Sequence, residues 1–345
     1  MKITPKRTAA IIISCLFAAV CTAAQTSRPD TRPRIKATPT PIVQLPAAQM
    51  PTPTLNQILD NARLQTDRYV EVFKNLTAIE KKSFEIYGKD ESVKKTRTIE
   101  SRFLVYQPTD ENASAAEYRS VTAVDGKAMD NVDKRTQEFF LKVLKAGSSD
   151  KELDQILKES TRHDPEFSIS EFTLFEALAL DADLRGKFDF ELGGMSDIDG
   201  HRVYVVRYKQ ISDSPQIVIN GDDRSAVRGV QQYSVVIQGG DKDRPSGRFT
   251  GTMYLDADTF RLRRESRTLW VVLGDSSTPY KAFDQQFDYQ DSQFDILTPK
   301  RVSHLQYRID LKEGRSKKDI SVVFDYSDFS RPDVEVTSSD VNNKN

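Results

Sequence analysis

The side chains that most often carry out chemistry in proteins are scarce in this sequence. Its 345 residues include three histidines and two cysteines. His163 comes just before Asp164 at a predicted helix end, whereas His201 and His304 lie in predicted strands. No two of them have the spacing of a metal site, so we interpret each histidine as a structural residue.

Other catalytic patterns are equally weak. No serine lies in a nucleophile-elbow pattern, and the pairs Gly193–Gly194 and Gly239–Gly240 lack the helix and lysine of a phosphate-binding loop. A catalytic carboxylate pair or a calcium site assembled from distant strands is the alternative that spacing leaves open. We predict a protein with no catalytic residue, metal site or cofactor, and an unrecognised hydrolase is our third hypothesis.

Residues 1–24 have the pattern of a secretory signal peptide. Three basic residues precede an apolar run from 9 to 20, and small residues lead to a cleavage site after Ala24. Cleavage there would leave a periplasmic chain without a thiol, because Cys15 and Cys21 would both be removed. The alternative interpretation is a lipid anchor on Cys21.

Charge and composition limit the partners of the remaining chain. The formal net charge is −1, and removal of residues 1–24 takes away three basic residues and no acidic one. Such a balance argues against nucleic-acid binding, which usually needs a basic excess. Residues 25–53 are rich in proline and predict a disordered, extended tether. No later stretch has the length of a transmembrane span.

The folded part is predicted to span 54–329, followed by a disordered polar tail at 330–345. Thr54 and Gln57 form a capping-box pattern at the start of an amphipathic helix of about six turns. Strands follow this helix. From about 134 to 183 the apolar residues recur with a helical period, which predicts a helical insertion that either fills the structure or acts as a lid. Ser149 with Glu152, and Ser168 with Glu171, are two further capping-box patterns in the insertion.

The remaining chain is nearly all strand with short turns, which predicts an antiparallel meander. A sheet of about ten strands tends to curl, because the twist between strands accumulates. We therefore predict a mainly β fold with α elements (α+β). It is a single curved antiparallel sheet forming an incomplete β-barrel, covered by the N-terminal helix and the insertion.

Alternation along these strands predicts one apolar face. The pattern puts Trp270 on the same side of its strand as Phe260 and Leu262. Ordinary core against the helices is one interpretation, and an apolar groove for an acyl chain is the other. The candidate groove residues are Phe249, Met253, Leu255, Phe260, Leu262, Trp270, Phe283, Phe287 and Tyr289.

Two short motifs carry a family resemblance. Residues 199–206 contain a glycine followed by Val203-Tyr204-Val205, and residues 249–265 contain Gly251, then Leu255-Asp256 and Thr259. In this order, after an early amphipathic helix, they resemble the LolA-like outer-membrane lipoprotein-sorting superfamily. The resemblance implies an incomplete barrel with a helical lid that binds lipid or lipoprotein acyl chains without chemistry. The tether and the insertion depart from the family pattern, and no binding residue is carried over.

Two hypotheses from different classes follow. The leading one is a non-enzymatic periplasmic carrier or sensor that binds lipid or lipoprotein acyl chains in an apolar groove. The alternative is a tethered scaffold that binds other envelope proteins along its sheet edges.

Overall fold

The computed structural model describes residues 52–108, 115–165, 173, 177–212, 217–219, 233–238, 245–273 and 278–331. The predicted signal peptide, nearly all of the predicted tether and nearly all of the tail lie outside these residues, as does Cys21. Among the helices in these ranges, none is long and apolar enough to cross a membrane.

The helix predicted from Thr54 is present. Helix α1 spans Leu55–Phe73, and its first turn contains the predicted capping box. The Gln57 backbone N–H donates to Thr54 Oγ1 at 3.3 Å, and the Thr54 N–H donates to Gln57 Oε1 at 2.8 Å. The side chains that α1 buries recur every three or four residues. They are Ile58, Leu59, Ala62, Tyr69 and Phe73.

The strands form an open antiparallel sheet. They are β1 (Thr77–Tyr87), β2 (Val93–Tyr106), β3 (Ala116–Val124), β4 (Lys127–Ala128), β5 (Phe188–Ile198), β6 (His201–Gln210), β7 (Ile217–Ile219), β8 (Tyr233–Gln238), β9 (Pro245–Asp256), β10 (Leu262–Leu273), β11 (Tyr280–Gln290), β12 (Thr298–Asp310) and β13 (Arg315–Ser330). Eleven of them follow one another in the order β4-β3-β2-β1-β13-β12-β11-β10-β9-β6-β5. The two ends of this order do not pair, so the predicted open α+β sheet is confirmed.

Long-range pairing joins the two ends of the folded chain. Strand β1 pairs with β13, with Thr77 opposite Ser330. The edge strands β4 and β5 are therefore separated by the whole sheet, and the insertion is the segment of chain that connects them. The predicted meander is interrupted in two ways. The neighbours β1 and β13, and β6 and β9, are not consecutive in the chain, and β8 pairs in parallel with both β7 and β12.

The predicted insertion contains helix α2 (Val132–Val143) and helix α3 (Ser149–Ser160), followed by two short 3-10 turns. A small separate core joins these helices to β2 and β3 through Tyr106, Tyr118, Val143 and Ile156. It fixes the insertion against one edge of the sheet.

The predicted second capping box is wrong. Ser148, not Ser149, precedes the first turn of α3, and its side chain makes no capping hydrogen bond. Glu152 instead accepts a hydrogen bond from the Tyr106 hydroxyl at 2.8 Å. The Glu152 carboxylate therefore makes a tertiary hydrogen bond instead of the local capping contact that the sequence pattern predicts. The third pattern, Ser168 with Glu171, lies outside the described residues.

We call the sheet face that packs against α1 the inner face, and the opposite one the outer face. The Tyr69 ring meets the Tyr289 ring edge-on at 6.0 Å, and the Phe73 ring lies 5.9 Å from that of Phe103. Burial alternates along the strands, and in β10 it does so regularly from Arg264 to Leu273. Inner-face side chains are buried, whereas those of the outer face are partly exposed.

The capping box predicts a measurable contribution to stability. Thr54→Ala removes the acceptor for the Gln57 N–H, and we expect the free energy of unfolding to fall by about 1 kcal/mol. Thr66→Ala is the matched control, because Thr66 only donates to the Ala62 carbonyl inside the same helix. Urea denaturation followed by circular dichroism measures both variants. Equal losses would contradict the cap assignment.

Candidate functional site on the inner face

The structure brings most of the predicted groove residues together on the inner face. Leu255 lies opposite Leu262, and Met253 and Phe287 both lie opposite Glu265. Phe249 and Phe283 both lie opposite Leu269 in the same way. The seven inner-face residues are all at most 6% exposed: Phe249, Met253, Leu255, Leu262, Phe283, Phe287 and Tyr289. Whether they bind a ligand stays a prediction.

The other two predicted residues lie elsewhere. A register shift between Leu262 and Arg264 reverses the alternation in β10, so Trp270 lies on the outer face, opposite to Leu262. There its indole Nε1 donates to Thr250 Oγ1 at 3.0 Å. Phe260 lies in the hairpin before β10, half-buried, with its ring stacked 6.1 Å from that of Tyr204. Simple alternation missed the shift because a bulge leaves no clear mark in the sequence.

A row of polar side chains crosses the inner face among these apolar residues. At one end the Tyr208 hydroxyl donates to Glu265 Oε1 at 2.5 Å, and the Arg267 guanidinium lies 4.4 Å from the centre of the Phe287 ring. We call this set the polar row. Its members are at most 5% exposed, and they are Tyr208, Glu265, Arg267, Gln285, His304 and Gln306.

Hydrogen bonds along the polar row run in one direction. Arg267 Nε donates to Gln285 Oε1 at 2.7 Å, and the Gln285 side-chain amide lies 3.0 Å from His304 Nδ1. His304 Nε2 in turn lies 3.0 Å from Gln306 Oε1. Since Gln285 uses its carbonyl oxygen for Arg267, it presents its NH₂ group to the imidazole. His304 is therefore neutral, with its proton on Nε2.

Burial lowers the pKa of His304 to about 4, and the hydrogen bond to Gln306 opposes this only in part. The imidazole thus stays uncharged at neutral pH, and both of its nitrogens are engaged with glutamine side chains. This arrangement holds the ring in place rather than preparing it to transfer a proton.

A second polar group on the inner face is a buried ionic cluster around Arg119. Arg119 Nε lies 2.7 Å from Glu80 Oε1, and its Nη2 lies 2.6 Å from Glu117 Oε2. Burial disfavours the charged form of Glu117, but Arg119 and hydrogen bonds from Thr173 outweigh it and lower the pKa of this carboxyl. Burial acts against Arg119 as well, yet Glu80 and Glu117 raise its pKa well above the usual value.

Residues of the insertion reach the inner face through these charges. Lys82 Nζ lies 2.5 Å from Asp164 Oδ2, with both side chains at most 2% exposed. Thr173 donates from its backbone N–H to Glu117 at 2.7 Å, and its carbonyl accepts from the Tyr69 hydroxyl at 2.9 Å. We call α1 together with the described residues between Asp164 and Leu180 the cover. The sequence analysis did not predict this connection. A signal for it was present, because charged residues occupy alternate, buried positions of two strands: Glu80 and Lys82 on β1, and Glu117 and Arg119 on β3.

The cover lies close to the sheet in this structure. The space beside Tyr69 and Leu262, between α1 and the neighbouring loops, is about 10 Å³, which is room for about one water molecule. A ligand on this part of the inner face therefore has to displace the cover. Across the described ranges, no group of three or more His, Cys, Asp or Glu side chains is arranged to hold a metal ion.

No protein-family model and no curated protein matches this chain. Similar solved structures include a DUF1329 family protein from Desulfovibrio piger, at 13% identity and TM-score 0.32, covering 82% of this chain and 94% of that one. A putative outer membrane lipoprotein-sorting protein domain from Vibrio parahaemolyticus has 12% identity and TM-score 0.31, with 81% and 94% covered. The LolA superfamily protein NE2245 from Nitrosomonas europaea has 14% identity and TM-score 0.28, with 82% and 95% covered.

The structural neighbours are LolA superfamily, lipoprotein-sorting and DUF1329 proteins. They include the superfamily that the motifs at 199–206 and 249–265 resemble. At these identities and TM-scores the similarity does not extend to function.

The neutral state of His304 predicts a pH dependence of stability. Its pKa of about 4 in the folded state lies below the ordinary value of 6.5. The contribution of the neutral His304 side chain to the free energy of unfolding is therefore complete above pH 6.5 and is lost as the pH falls towards 4. Between these pH values, we expect the free energy of unfolding of the wild type to fall by about 3 kcal/mol more than that of His304→Gln. Urea denaturation at a series of pH values measures the difference, and parallel curves would contradict it.

The contact between Lys82 and Asp164 predicts a stability loss that a second substitution corrects. Lys82→Met leaves the Asp164 carboxylate buried beside an apolar side chain, and we expect a loss of about 3–5 kcal/mol. The double variant Lys82→Met/Asp164→Leu should recover most of it, as measured by urea denaturation. Lys94→Met, which breaks a solvent-exposed ion pair with Asp90, is the control and should change little. A double variant as unstable as the single one would contradict the assignment.

Proposed function

We propose that this protein is a non-enzymatic carrier or sensor that binds an apolar ligand, a lipid or a lipoprotein acyl chain, on the inner face. The observation that carries the proposal is the gathering of seven candidate groove residues on one face of an open sheet. Aromatic and aliphatic side chains with a few fixed polar groups are the usual lining of a site for an apolar ligand. The LolA-like resemblance of the two motifs led to the same proposal.

Binding requires the cover to exchange with the ligand. Helix α1 is joined to β1 by residues 74–76 only, so it can move away while the sheet stays paired. An acyl chain that replaces α1 keeps the same apolar surface out of water, so opening costs mainly the polar contacts of α1, such as the hydrogen bond from Tyr69 to Thr173. The ligand acts by binding the open state more tightly than the closed one.

The polar row supplies an anchor for the polar end of such a ligand. Arg267 and Gln285 lie between Phe283 and Phe287 on the inner face, where an acyl chain would contact the aromatic rings. Their N–H groups suit an ester carbonyl or a carboxylate, and a guanidinium makes the stronger hydrogen bonds with a charged acceptor. The ligand therefore combines an apolar chain with an acceptor group at one end.

The periplasmic location and the lipoprotein partner belong to this proposal. The pattern of residues 1–24 supports export, and the motifs at 199–206 and 249–265 support the carrier role. In the same proposal the segment 25–53 is a spacer between the export signal and the folded part.

Loosening the cover should increase ligand binding. Tyr69→Ser removes the ring that packs on Phe73 and Tyr289 and the hydroxyl that bonds to Thr173. We expect the fluorescent probe 1-N-phenylnaphthylamine to bind the delipidated wild type saturably, and this variant about tenfold more tightly. A phospholipid should compete with the probe. Native mass spectrometry of the protein as purified measures any retained lipid.

Two controls make this experiment decisive. Tyr87→Ser removes a tyrosine that contacts Lys318 away from the cover, and it should leave probe binding unchanged. Trp270→Ala alters only the outer face and should also leave it unchanged. Absence of saturable probe binding in both the wild type and Tyr69→Ser, together with no retained lipid, would refute the proposed function.

A further inference from the structure

The outer face carries a groove that the proposed function does not use. It has a volume of about 670 Å³ and runs from β6 across β9, β10, β11 and β12 to β13. Two rows of outer-face side chains form much of its floor. Each row crosses the neighbouring strands β9, β10 and β11. One row consists of Thr252, Ser266 and Gln286, and the other consists of Thr250, Thr268 and Asp284.

The floor of this groove consists of short polar side chains. Each of the six residues is half-buried, so its hydroxyl, amide or carboxylate is held by its strand and still reaches solvent. Serine and threonine hydroxyls both donate and accept. The Gln286 amide donates to Asp288 Oδ2 at 2.7 Å, and its second N–H and its carbonyl oxygen add a donor and an acceptor. Thr268 Oγ1 donates to Asp284 Oδ1 at 2.7 Å, which orients that carboxylate along the floor.

Two aromatic side chains are hydrogen-bonded to residues of the groove floor. The indole Nε1 of Trp270 donates to Thr250 Oγ1 at 3.0 Å, and the Tyr307 hydroxyl donates to Asp284 Oδ2 at 2.8 Å. Lys281 Nζ lies between the rings, 5.5 Å from the centre of Trp270 and 5.6 Å from that of Tyr307. These contacts fix the rings next to the polar floor.

The charges of the groove compensate one another. Lys281 Nζ lies 3.1 Å from Asp284 Oδ2, and Arg207, which lines the groove, lies 3.4 Å from Glu191. A phosphorylated or polyanionic ligand would need an excess of positive charge, which these pairs do not offer. An acyl chain would cover the hydroxyl groups without bonding to them, at a cost in free energy. The groove chemistry therefore fits a neutral ligand with many hydroxyl groups.

We propose that the outer-face groove binds a neutral oligosaccharide. A sugar ring has an apolar C–H face that packs on an aromatic ring, and its hydroxyl groups bond to short polar side chains such as those of the floor. Neighbouring strands are roughly 4.8 Å apart, so the distance from β6 to β12 is about 19 Å, enough for several sugar units. The site is separate from the inner face, since it uses the opposite side chains of the same strands.

Trp270 makes the test direct, because it is the single tryptophan of the chain. Its fluorescence is titrated with maltotetraose, cellotetraose and chitotetraose, and the protein is also screened on an array of neutral glycans. We expect a saturable change in emission with at least one oligosaccharide, confirmed by isothermal titration calorimetry. Inositol hexakisphosphate should neither bind nor compete.

Variants locate the binding site. Gln286→Leu and Thr252→Val remove hydrogen-bonding groups from the floor without touching Trp270, and each should weaken binding about tenfold. Trp270→Phe, followed by calorimetry, should also weaken binding. Gln137→Leu on the exposed surface of α2 is the matched control and should bind as the wild type does. The melting temperature of each variant verifies folding.

Three outcomes would overturn the proposal. The first is the absence of any saturable binding on the array and in the titrations. The second is binding that Gln286→Leu and Thr252→Val both leave unchanged although they are folded. The third is displacement of the sugar by the polyanion. None of these outcomes concerns the inner face, since the probe measurements with Tyr69→Ser are independent of the groove.

Discussion

The inner face of the sheet depends on the burial of charge around Arg119. A guanidinium and carboxylates removed from water are stable only when they are paired, so their partners must be held at fixed positions. Arg119 on β3 reaches across β2 to Glu80 on β1, and Glu117 binds Thr173 of the cover. The same cluster therefore holds the register of three strands and the position of the cover. A change that moves one of these elements disturbs the others.

The sheet separates two different chemical surfaces with one set of strands. Because successive side chains point to opposite faces, β10 contributes Glu265, Arg267 and Leu269 to the inner face and Ser266 and Thr268 to the outer face. The inner face combines apolar side chains, some of them beneath the cover, with an ordered row of buried polar side chains. The outer face has hydroxyl and amide groups in an open groove. In the two proposals, the apolar ligand and the oligosaccharide therefore contact side chains on opposite faces of the sheet.

Much of the fold was predictable from local patterns, and the candidate site was predictable in part. Six groove candidates lie on the inner face because alternation within β9 and β11 continues through these residues, and the seventh, Leu262, precedes the register shift of β10. The same argument fails for Trp270, since the register shift after Leu262 reverses the faces of β10. The polar row was missed because Glu265 and Arg267 have the side chains of a solvated surface, and only their partners on β6 and β11 allow them to be buried.

By itself, the sequence determined those features that depend on neighbouring residues: the start of α1 at the Thr54 capping box, the strand periods and the turns between them. Such features arise from hydrogen bonds and side-chain positions within a few residues. The tertiary structure alone decided that β1 pairs with β13, that the insertion connects the two sheet edges, and that the faces of β10 are reversed after Leu262. These outcomes depend on contacts between residues up to about 250 positions apart, as between Thr77 and Ser330, and no local period encodes such contacts.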